Sequence, residues 1–321
     1  MTPLPTVQRV LVTGGSGFIG RRLVMRLAQR GIEVQVICNP TGSGGRGVTG
    51  AMRTHSVDVR DESGLLRVFR EVLPDAVVHL ATVNSIPICE TNRAFALQVN
   101  VVGTECVLAA AEAAEVRMAV IASSGAVYRP TERPLIEDES ALEAVDNYGL
   151  TKLINERQAQ FWAERTGGVA RVARMYNAIG HDDPKSHLIP DILAQIPDGV
   201  RDAVIQLGNT APRRDYTHAD DSASGLEALL FNGDVLAPCE AFNLCTGVEH
   251  SVLDVAETIG RHLGVRLNIV HDPTRVRPVD RMHQIGSTEK TRQRLGWEAS
   301  ISFHDGIRLV LEGLGRLPQS Q

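Results

Sequence analysis

Cysteine is scarce in this chain and is not arranged for a metal site or a disulfide framework. The five cysteines are Cys38, Cys89, Cys106, Cys239 and Cys245. Their number is odd, and no two of them form a C-x-x-C pair. This scatter argues against bound zinc and against structural disulfides, and the histidines show no metal-ligand spacing either. We therefore predict no metal site and a reducing, cytoplasmic compartment.

Signals for nucleic acid, membrane and secretion are also missing. The net charge is −5 and the pI is about 6.1, which argues against a nucleic-acid-binding protein. No uninterrupted apolar run approaches the ~18 residues of a membrane span, because charged residues interrupt even the most apolar region, residues 101–122. The N-terminus lacks the basic and apolar regions of a signal peptide. We expect neither nucleic acid nor a membrane as a partner.

Lysine is nearly absent. Only Lys152, Lys185 and Lys290 occur among 33 basic residues, and the rest are arginine. A lysine in so arginine-rich a chain is a candidate for a chemical role.

What the sequence does contain is a regular alternation of apolar strands and amphipathic helices over its first half. The predicted strands are Arg9–Thr13, Glu33–Ile37, His55–Val59, Ala76–Ala81, Met118–Ser123 and Ala170–Met175. The predicted helices between them are Phe18–Arg30, Glu62–Val72, Asn92–Ala114 and Asn147–Arg165. This alternation predicts an α/β fold with a Rossmann-type, doubly wound parallel sheet.

After Asn177 the pattern loosens, because prolines divide the chain into short pieces. Helices are still predicted at Ala219–Leu230 and Val252–Leu263, with a strand at Ala241–Leu244. We expect a smaller, mixed C-terminal domain that binds the substrate. The predicted division gives residues 1–176 and about 215–250 to the dinucleotide-binding domain, and 177–214 and 251–321 to the substrate-binding domain.

A glycine-rich turn, Thr13–Gly20 (TGGSGFIG), follows the first strand directly and leads into a helix. In this context it predicts a dinucleotide site. Gly14 allows the tight turn, Gly17 lets the backbone approach the pyrophosphate, and Gly20 allows close packing of the helix. The helix N-terminus then offers N–H donors and partial positive charge to the phosphates.

The end of the second strand does not settle which dinucleotide binds. An NAD site typically has an acidic residue there for the ribose 2′-hydroxyl, whereas this chain has Cys38 followed by Asn39. Asn39 can still bond a ribose hydroxyl, and Arg46 on the next loop leaves NADP open. Asp58 and Val59, at the predicted end of the third strand, are placed to border the adenine.

Tyr148 and Lys152 (YGLTK) lie one helical turn apart and so share a face. A free phenol has a pKa near ~10 and is a poor base at neutral pH. A nearby ammonium favours the phenolate, as a positive nicotinamide would. Ser124, after the fifth strand, stands where parallel strands present their carboxyl ends to a ligand. These three residues are the predicted catalytic group.

Seven motifs stand in the order seen in extended short-chain dehydrogenases/reductases. They are TGGSGFIG, DVRD at 58–61, HLAT at 79–82, SSGAVY at 123–128, YGLTK, RMYNAIG at 174–180 and RRDYTHADD at 213–221. The sequence resembles the nucleotide-sugar epimerase/dehydratase branch over nearly the whole chain. The motifs are specific for the superfamily and much less so for the substrate.

The resemblance implies a role for individual positions. Ser124, Tyr148 and Lys152 match the catalytic residues, and Asn177, Arg214 and Arg277 match contacts to the nucleotide-diphosphate sugar. Guanidinium groups suit phosphate oxygens independently of any resemblance. The implied cofactor contacts beyond the glycines are Phe18, Ile19, Leu80, Ala81, Thr82 and Asn100, together with Tyr148 and Lys152. The family also implies a homodimer joined through Asn92–Ala114 and Asn147–Arg165.

Positions Gly125 and Ala126 bear on the reaction. Sugar 4,6-dehydratases of this family carry an acid pair there, and the decarboxylases usually keep a glutamate. Since this chain has neither acid, elimination and decarboxylation are disfavoured unless another carboxylate such as Glu90 substitutes.

Two hypotheses about the redox reaction then remain. The first is epimerisation, with C4 as the favoured carbon, by transient hydride transfer to bound NAD(P) through a 4-keto sugar. The second is NAD(P)H-dependent reduction of a 4-keto sugar nucleotide. Residues 207–218 resemble the corresponding segment of GDP-sugar dehydratases and reductases, which implies that the substrate of either reaction can be GDP-linked. NAD is slightly preferred by the resemblance. A reading from another class is a dinucleotide-binding sensor without activity, but such proteins usually lose the tyrosine or the lysine.

Overall fold

The computed structural model describes residues 2–40, 48–183, 187–276 and 280–317. Its strands, in chain order, are β1 Thr2–Pro3, β2 Arg9–Thr13, β3 Glu33–Cys38, β4 Arg53–Ser56, β5 Ala76–His79, β6 Met118–Ser124, β7 Val169–Met175, β8 Asn177–Ile179, β9 Asp202–Leu207, β10 Arg213–His218, β11 Asp234–Val235, β12 Cys239–Leu244, β13 Glu249–Ser251 and β14 Arg266–His271.

The helices separate these strands. In chain order they are α1 Gly20–Gln29, α2 Glu62–Val72, α3 Ile86–Thr91, α4 Arg93–Leu97, α5 Gly103–Ala113, α6 Asn147–Thr166, α7 Leu188–Ala194, α8 Ala219–Phe231, α9 Val252–Leu263, α10 Glu289–Leu295 and α11 Phe303–Gly313. Between α4 and α5, Gln98–Val102 forms a π turn, so that one continuous helix runs from Arg93 to Ala113.

Seven strands form the main sheet in the order β12-β7-β6-β5-β2-β3-β4, and every pair in it is parallel. The chain builds outward from β2 in one direction through β3 and β4. It then returns to β5 and builds outward in the other direction. The order therefore reverses between β2 and β5, and in such sheets ligands bind at the carboxyl ends of the strands beside the reversal. The predicted doubly wound sheet is confirmed.

Two apolar clusters cover the two faces of this sheet. One joins α1 and α8 to the sheet, and the other joins α2, α5 and α6 to it. Strands β5 and β6 are buried along their whole length apart from Ser124 at the end. Such burial on both faces explains why these strands appear in the sequence as continuous apolar runs rather than alternating ones.

The second half of the chain builds smaller sheets, namely β13-β10-β8 and β14-β9. They share a separate apolar cluster with α7, α9 and α11. A smaller, mixed C-terminal part is thus present. The residue-by-residue domain boundaries given above stay a prediction.

The strand predicted at His55–Val59 is wrong in its bounds. The observed β4 covers Arg53–Ser56 because it pairs with Gln35–Cys38 of β3, and β3 ends at Cys38. The Val57 nitrogen still donates to the Cys38 carbonyl oxygen at 3.0 Å, and this is the last backbone hydrogen bond to β3 among the described residues. Asp58 and Val59 therefore lie on the loop after the strand rather than at its end.

The long helix predicted at Asn92–Ala114 is present, and within the described ranges it is the one helix long and apolar enough to span a membrane by length and composition alone. It carries charged residues that interrupt its apolar run. The helix packs against α2 and α6 in the second apolar cluster, as a core helix of a folded domain does.

Candidate active site

The glycine turn after β2 is a cradle that side chains would fill. Gly14 has a φ of +70°, and a Cβ there would lie 2.7 Å from the Ala81 nitrogen. At Gly20 a Cβ would lie 2.3 Å from the Gly14 carbonyl oxygen. Both positions therefore require glycine. Gly17, in contrast, is exposed just before α1, where it leaves bare backbone beside the helix N-terminus.

No acidic side chain occupies the first turn of α1, so nothing there repels a phosphate. On the loop after β5, the Thr82 hydroxyl oxygen is buried and finds no hydrogen-bond partner among the described residues. A glycine cradle with open backbone and an unpaired hydroxyl across the strand reversal fit a dinucleotide.

Other predicted cofactor positions surround this cradle. Leu80, Ala81 and Thr82 are all half-buried on the loop after β5. Phe18 lies under the loop at Gly180, where a Cβ would come within 2.9 Å of its ring. Ile19 packs partly against the first apolar cluster.

The residues predicted to border the adenosine part of the cofactor differ in their surroundings. Cys38 is buried, so the exposed Asn39 is the first side chain beyond β3 that faces solvent. The Asp58 carboxylate is held by Arg60, with Nη2–Oδ2 and Nε–Oδ1 distances of 2.7 Å and 2.9 Å. That hydrogen-bonded pair holds the pKa of Asp58 below its usual range. Val59 is 8% exposed and packs near Gly103.

Asn100 lies in the π turn and hydrogen bonds the loop that follows β5. Its side-chain oxygen accepts from the Val83 nitrogen at 2.7 Å, and its amide donates to the Val83 carbonyl oxygen at 3.1 Å. The loop that follows Thr82 is therefore fixed to the helix. π turns occur mainly as single turns inserted in α-helices, often at functional sites.

The predicted catalytic residues come together. Ser124 ends β6, and its hydroxyl is hydrogen bonded to the Tyr148 phenol. The Lys152 ammonium lies 5.8 Å from the centre of the Tyr148 ring and donates to the Ala122 carbonyl oxygen at 3.0 Å. These contacts show that α6 holds Tyr148 and Lys152 against the carboxyl end of β6.

Burial dominates the protonation states in this group. It raises the pKa of Tyr148 to about 12, while the Ser124 hydrogen bond and the Arg281 guanidinium act in the opposite direction. Burial also lowers the pKa of Lys152 to about 8. Both shifts favour the neutral form, as expected when a charged form leaves water.

A buried hydrogen-bonded chain connects the turn to the π turn. His79 lies between the hydroxyls of Thr13, at 2.6 Å from Nδ1, and Thr104, at 3.0 Å from Nε2. Thr104 donates to the Asn100 carbonyl oxygen at 2.6 Å, so it accepts from His79 Nε2–H. Burial lowers the pKa of His79 to about 3, which keeps this imidazole neutral.

The crowded surroundings of Gly125 leave no room for the acidic side chain that dehydratases of this family carry in this turn. A Cβ at Gly125 would lie 2.9 Å from the Tyr176 ring and 3.0 Å from the Gln284 amide nitrogen. Ala126 is buried beside it. Glu90, the possible substitute acid, instead accepts from the backbone N–H and the side-chain amide of Asn147. Both of its oxygens are thus used at the start of α6.

The predicted substrate residues have different surroundings. Asn177 is exposed at the start of β8. Arg214 is half-buried and paired with Asp280, and its guanidinium also donates to the Arg281 carbonyl oxygen. Its partner is therefore neither Asp215 nor Asp220, the carboxylates nearest in sequence. Arg277 lies outside the described residues.

Sequence reasoning missed Arg281, which is nine-tenths buried and bonds both Ala126 and Asp146. Its partner Asp146 is 135 positions away, so local patterns give no signal for this contact. The sequence assigns no role to Arg129 either, and in the structure it pairs with Glu143 at the surface.

A family model described as GDP-mannose 4,6 dehydratase matches residues 11–310. The chain belongs to this family. The predicted membership of the extended short-chain dehydrogenases/reductases is confirmed, and with it the expectation of an NAD(P)-dependent enzyme.

Individual relatives match more than nine-tenths of the chain. The chain is 29% identical to GDP-6-deoxy-D-mannose reductase of Pseudomonas aeruginosa, over 95% of this chain and 96% of that one. It is 30% identical to UDP-glucose 4-epimerase 3 of Oryza sativa subsp. japonica, over 93% and 87%. The solved Thermus thermophilus UDP-glucose 4-epimerase in complex with NAD matches with a TM-score of 0.85 and 26% identity, covering 96% of this chain and 99% of that one.

Proposed function

We propose that this protein interconverts the C4 epimers of a nucleotide-diphosphate sugar, using a nicotinamide dinucleotide that remains bound. The observation that carries the proposal is the closed Gly125 position beside an assembled Ser124–Tyr148–Lys152 group. Tyr176 and Gln284 occupy the space that an elimination acid would need. Proton and hydride transfer at a carbinol is the chemistry that remains.

The residues divide the work as follows. When bound, the oxidised cofactor supplies a hydride acceptor and a positive charge. Tyr148 takes the proton from the sugar C4 hydroxyl, and Ser124 hydrogen bonds the same oxygen through its hydroxyl. The Lys152 ammonium, 5.8 Å from the centre of the Tyr148 ring, stabilises the phenolate. Because Tyr148 can also return the proton, the same group serves both directions.

The proposed cofactor is NAD. Two facts support it: the relative from Thermus thermophilus has NAD bound, and the exposed Asn39 follows β3 where a ribose hydroxyl would lie. Asn39 offers both a donor and an acceptor to such a hydroxyl. The proposed contacts are Gly14, Gly17, Phe18, Ile19, Gly20, Asn39, Asp58, Val59, Leu80, Ala81, Thr82, Asn100, Tyr148 and Lys152.

The proposed substrate contacts beyond Ser124 are Asn177, Arg214 and Arg277. Three of the five N–H groups of Arg214 bond the Arg213 and Arg281 carbonyl oxygens and Asp280, its only carboxylate partner in the described ranges. The two others, on Nε and Nη2, have no hydrogen-bond partner among the described residues and suit a diphosphate. The exchange of one acidic partner for a diphosphate keeps the guanidinium paired throughout. UDP is the proposed nucleotide, since the rice and Thermus relatives are named for UDP-glucose.

One observation favours a second candidate, the NAD(P)H-dependent reduction of a 4-keto sugar nucleotide. The Pseudomonas aeruginosa relative is a reductase named for a GDP-linked sugar and matches almost the full chain. The absence of an acid after β3 is compatible with NADPH. An epimerase regenerates its cofactor in each turnover, whereas a reductase consumes one.

The two candidates are separated by the nucleotide that the purified protein carries. We expect denaturation to release NAD⁺, identified by mass, in an amount close to one per chain. The same preparation should interconvert UDP-glucose and UDP-galactose with nothing added. An empty protein that binds NADPH and shows no interconversion would overturn the first candidate and favour the second.

We also propose a homodimer. The helix from Arg93 to Ala113 and α6 lie side by side, and both carry exposed apolar side chains. These are Leu97, Val102, Leu150 and Phe161, with 42, 50, 43 and 61% of their surface exposed. A second copy of this chain would cover them. We place the protein in the cytoplasm, in keeping with its five free cysteines.

A further inference from the structure

Arg281 is a buried cation beside the candidate catalytic group. One of its terminal nitrogens donates to the Ala126 carbonyl oxygen and to the Asp146 carboxylate, both at 2.9 Å. Ala126 belongs to the turn that follows Ser124, and Asp146 precedes Tyr148 by two residues. One guanidinium therefore joins the two segments that carry the Ser124 and Tyr148 hydroxyls.

Asp146 has a second task at the same place. Its other oxygen accepts from the Gly149 nitrogen at 2.7 Å, which caps α6 at its N-terminus. Such a cap satisfies one of the N–H groups that a helix leaves unpaired in its first turn. The cap places a carboxylate next to Tyr148, however, where it raises the pKa of the phenol and opposes formation of the phenolate.

The first turn of α6 approaches the Ser124 turn very closely. A Cβ at Gly149 would lie 2.5 Å from the Ala126 carbonyl oxygen, the same oxygen that accepts from Arg281. The approach therefore needs a glycine at position 149. Arg281 Nε is also buried and has no hydrogen-bond partner among the described residues.

We propose that Arg281 is a positioning residue that clamps the Tyr148 helix to the Ser124 turn and cancels the charge of the capping Asp146. The inference rests on the proposed role of Tyr148 as the base. It also ties catalysis to the substrate segment, because the Arg281 carbonyl oxygen accepts from Arg214. Arg281 thereby prevents the negative charge of Asp146, which caps α6, from disfavouring the Tyr148 phenolate.

The groups that face Tyr148 set the expected signs. Ser124 approaches from β6, Cys89 from α3, Asp146 from the N-terminus of α6, and Arg281 from the C-terminal segment. Lys152 lies one turn further along α6. Ser124 and Arg281 favour the phenolate, whereas Asp146 and a Cys89 thiolate disfavour it. Burial raises the pKa of Cys89 to about 11, so this thiol is neutral at physiological pH.

The test is the pH profile of turnover in the protein with its cofactor. Arg281→Gln leaves Asp146 uncancelled, so the ascending limb should move to higher pH by about one unit, or about tenfold in turnover below that limb. Asp146→Asn keeps a good N-cap but removes the charge, so the limb should move to lower pH. The double variant should return close to the parent profile, because both charges are gone.

Two further variants separate charge from packing. Arg281→Lys keeps the cation without the full fork and should restore most of the pH profile. Arg294→Gln removes an arginine that pairs with Glu240 near the start of β12, at the opposite end of the sheet from Ser124. This control should leave the profile unchanged.

A second readout does not depend on turnover. The phenolate absorbance of Tyr148, taken as the difference between each variant and the same variant carrying Tyr148→Phe, should titrate with the same shifts in the NAD⁺ complex. Turnover lowered equally at every pH, with an unmoved titration, would overturn the inference and leave Arg281 a structural residue. A parent protein without turnover, but with shifted titrations, would instead count against the proposed function alone.

Discussion

At the scale of single residues, burial decides which groups around Ser124 carry charge. It raises the pKa of Tyr148 to about 12 and lowers those of Lys152 and His79 to about 8 and 3. An enclosed phenol is a base only if nearby positive charge compensates for the lost water. The proposed chemistry therefore depends on Lys152, on Arg281 and on the charge of the bound cofactor.

Tyr148→Phe tests the role of the phenol. Turnover should fall by roughly 10²–10⁴-fold, the usual contribution of a positioned acid or base. Binding of the cofactor, measured by calorimetry, should stay within about threefold of the parent protein because the ring remains. Tyr216→Phe is the matched control, since it removes a phenol hydroxyl from the third apolar cluster. Comparable losses in the two variants would contradict the assignment.

His79→Gln tests the buried chain between Thr13 and Thr104. The folded pKa of about 3 lies below the unfolded value of 6.5, so the unfolded chain binds the extra proton between these pH values. Stability contributed by neutral His79 is therefore lost as the pH falls below 6.5. Between pH 7 and pH 5 the loss should be roughly 2 kcal/mol.

The measurement is the free energy of unfolding in denaturant at both pH values. The parent should lose this amount, and His79→Gln should show a correspondingly smaller difference, although it is less stable at pH 7. His262→Gln is a control on α9, outside this chain of hydrogen bonds. An equal pH dependence in parent and His79→Gln would show that His79 does not set it.

The proximity of Ser124, Tyr148 and Lys152 was predictable because the signals for it are local, whereas their catalytic role remains a proposal. Tyr148 and Lys152 are four residues apart on one helix, and Ser124 follows an apolar strand. Arg281 was not predictable, since its contacts join residues 126, 146 and 281 and depend on the whole fold. The ion pair of Arg214 with Asp280 was not predictable for the same reason, because the two residues lie 66 positions apart.

At the scale of elements, the turn between β2 and α1 is fixed by backbone rather than by side chains. Gly14→Ala should abolish cofactor binding, because a Cβ would meet the Ala81 nitrogen at 2.7 Å in addition to the strained φ. Gly264→Ala is the control. Its φ is +66°, but nothing lies within 4 Å of the added carbon.

Gly264→Ala should therefore show only the cost of a left-handed residue, about 1–2 kcal/mol. Gly14→Ala should lose more stability and also lose cofactor affinity, measured by unfolding and by calorimetry. If both variants bind the cofactor equally well, the close approach of Gly14 to the β5 loop has no functional consequence.

Helices whose ends are marked by capping residues in the sequence were predicted with the correct bounds. α2 and α9 match residue for residue, because α2 begins at a capping Asp61 and α9 at a capping Ser251. The π turn at Gln98–Val102 was not predictable, since it depends on bonds from Asn100 to Val83 across the fold. The strand at His55–Val59 was predicted too long because its length depends on its partner, β3.

At the scale of the whole molecule, the parallel sheet was predictable, whereas the strands of the small β14-β9 sheet were not. Strands buried on both faces produce apolar runs that stand out along the chain. In the second half, β9 alternates between buried and exposed residues and β14 has no fully buried residue, so neither produces a buried run. Short strands of this kind form where neighbouring segments provide a partner.

The proposed homodimer gives a prediction at the same scale. Phe161→Glu and Val102→Glu place charges in the patch formed by α6 and the helix from Arg93 to Ala113, and each should lower the mass in solution to that of one chain. Val204→Glu, on the exposed face of β9, is the control and should leave the dimer intact. A parent protein that is already monomeric in light scattering would contradict the proposal.

The most direct test of the proposed epimerisation follows the hydrogen at C4 of the sugar. UDP-glucose that carries deuterium at C4 is incubated with the purified protein and no added cofactor, and the products are analysed by mass and by nuclear magnetic resonance. We predict UDP-galactose that retains the deuterium at C4, since the hydride leaves and returns within one site. Failure to form UDP-galactose, or formation with the deuterium lost, would contradict epimerisation by this enzyme.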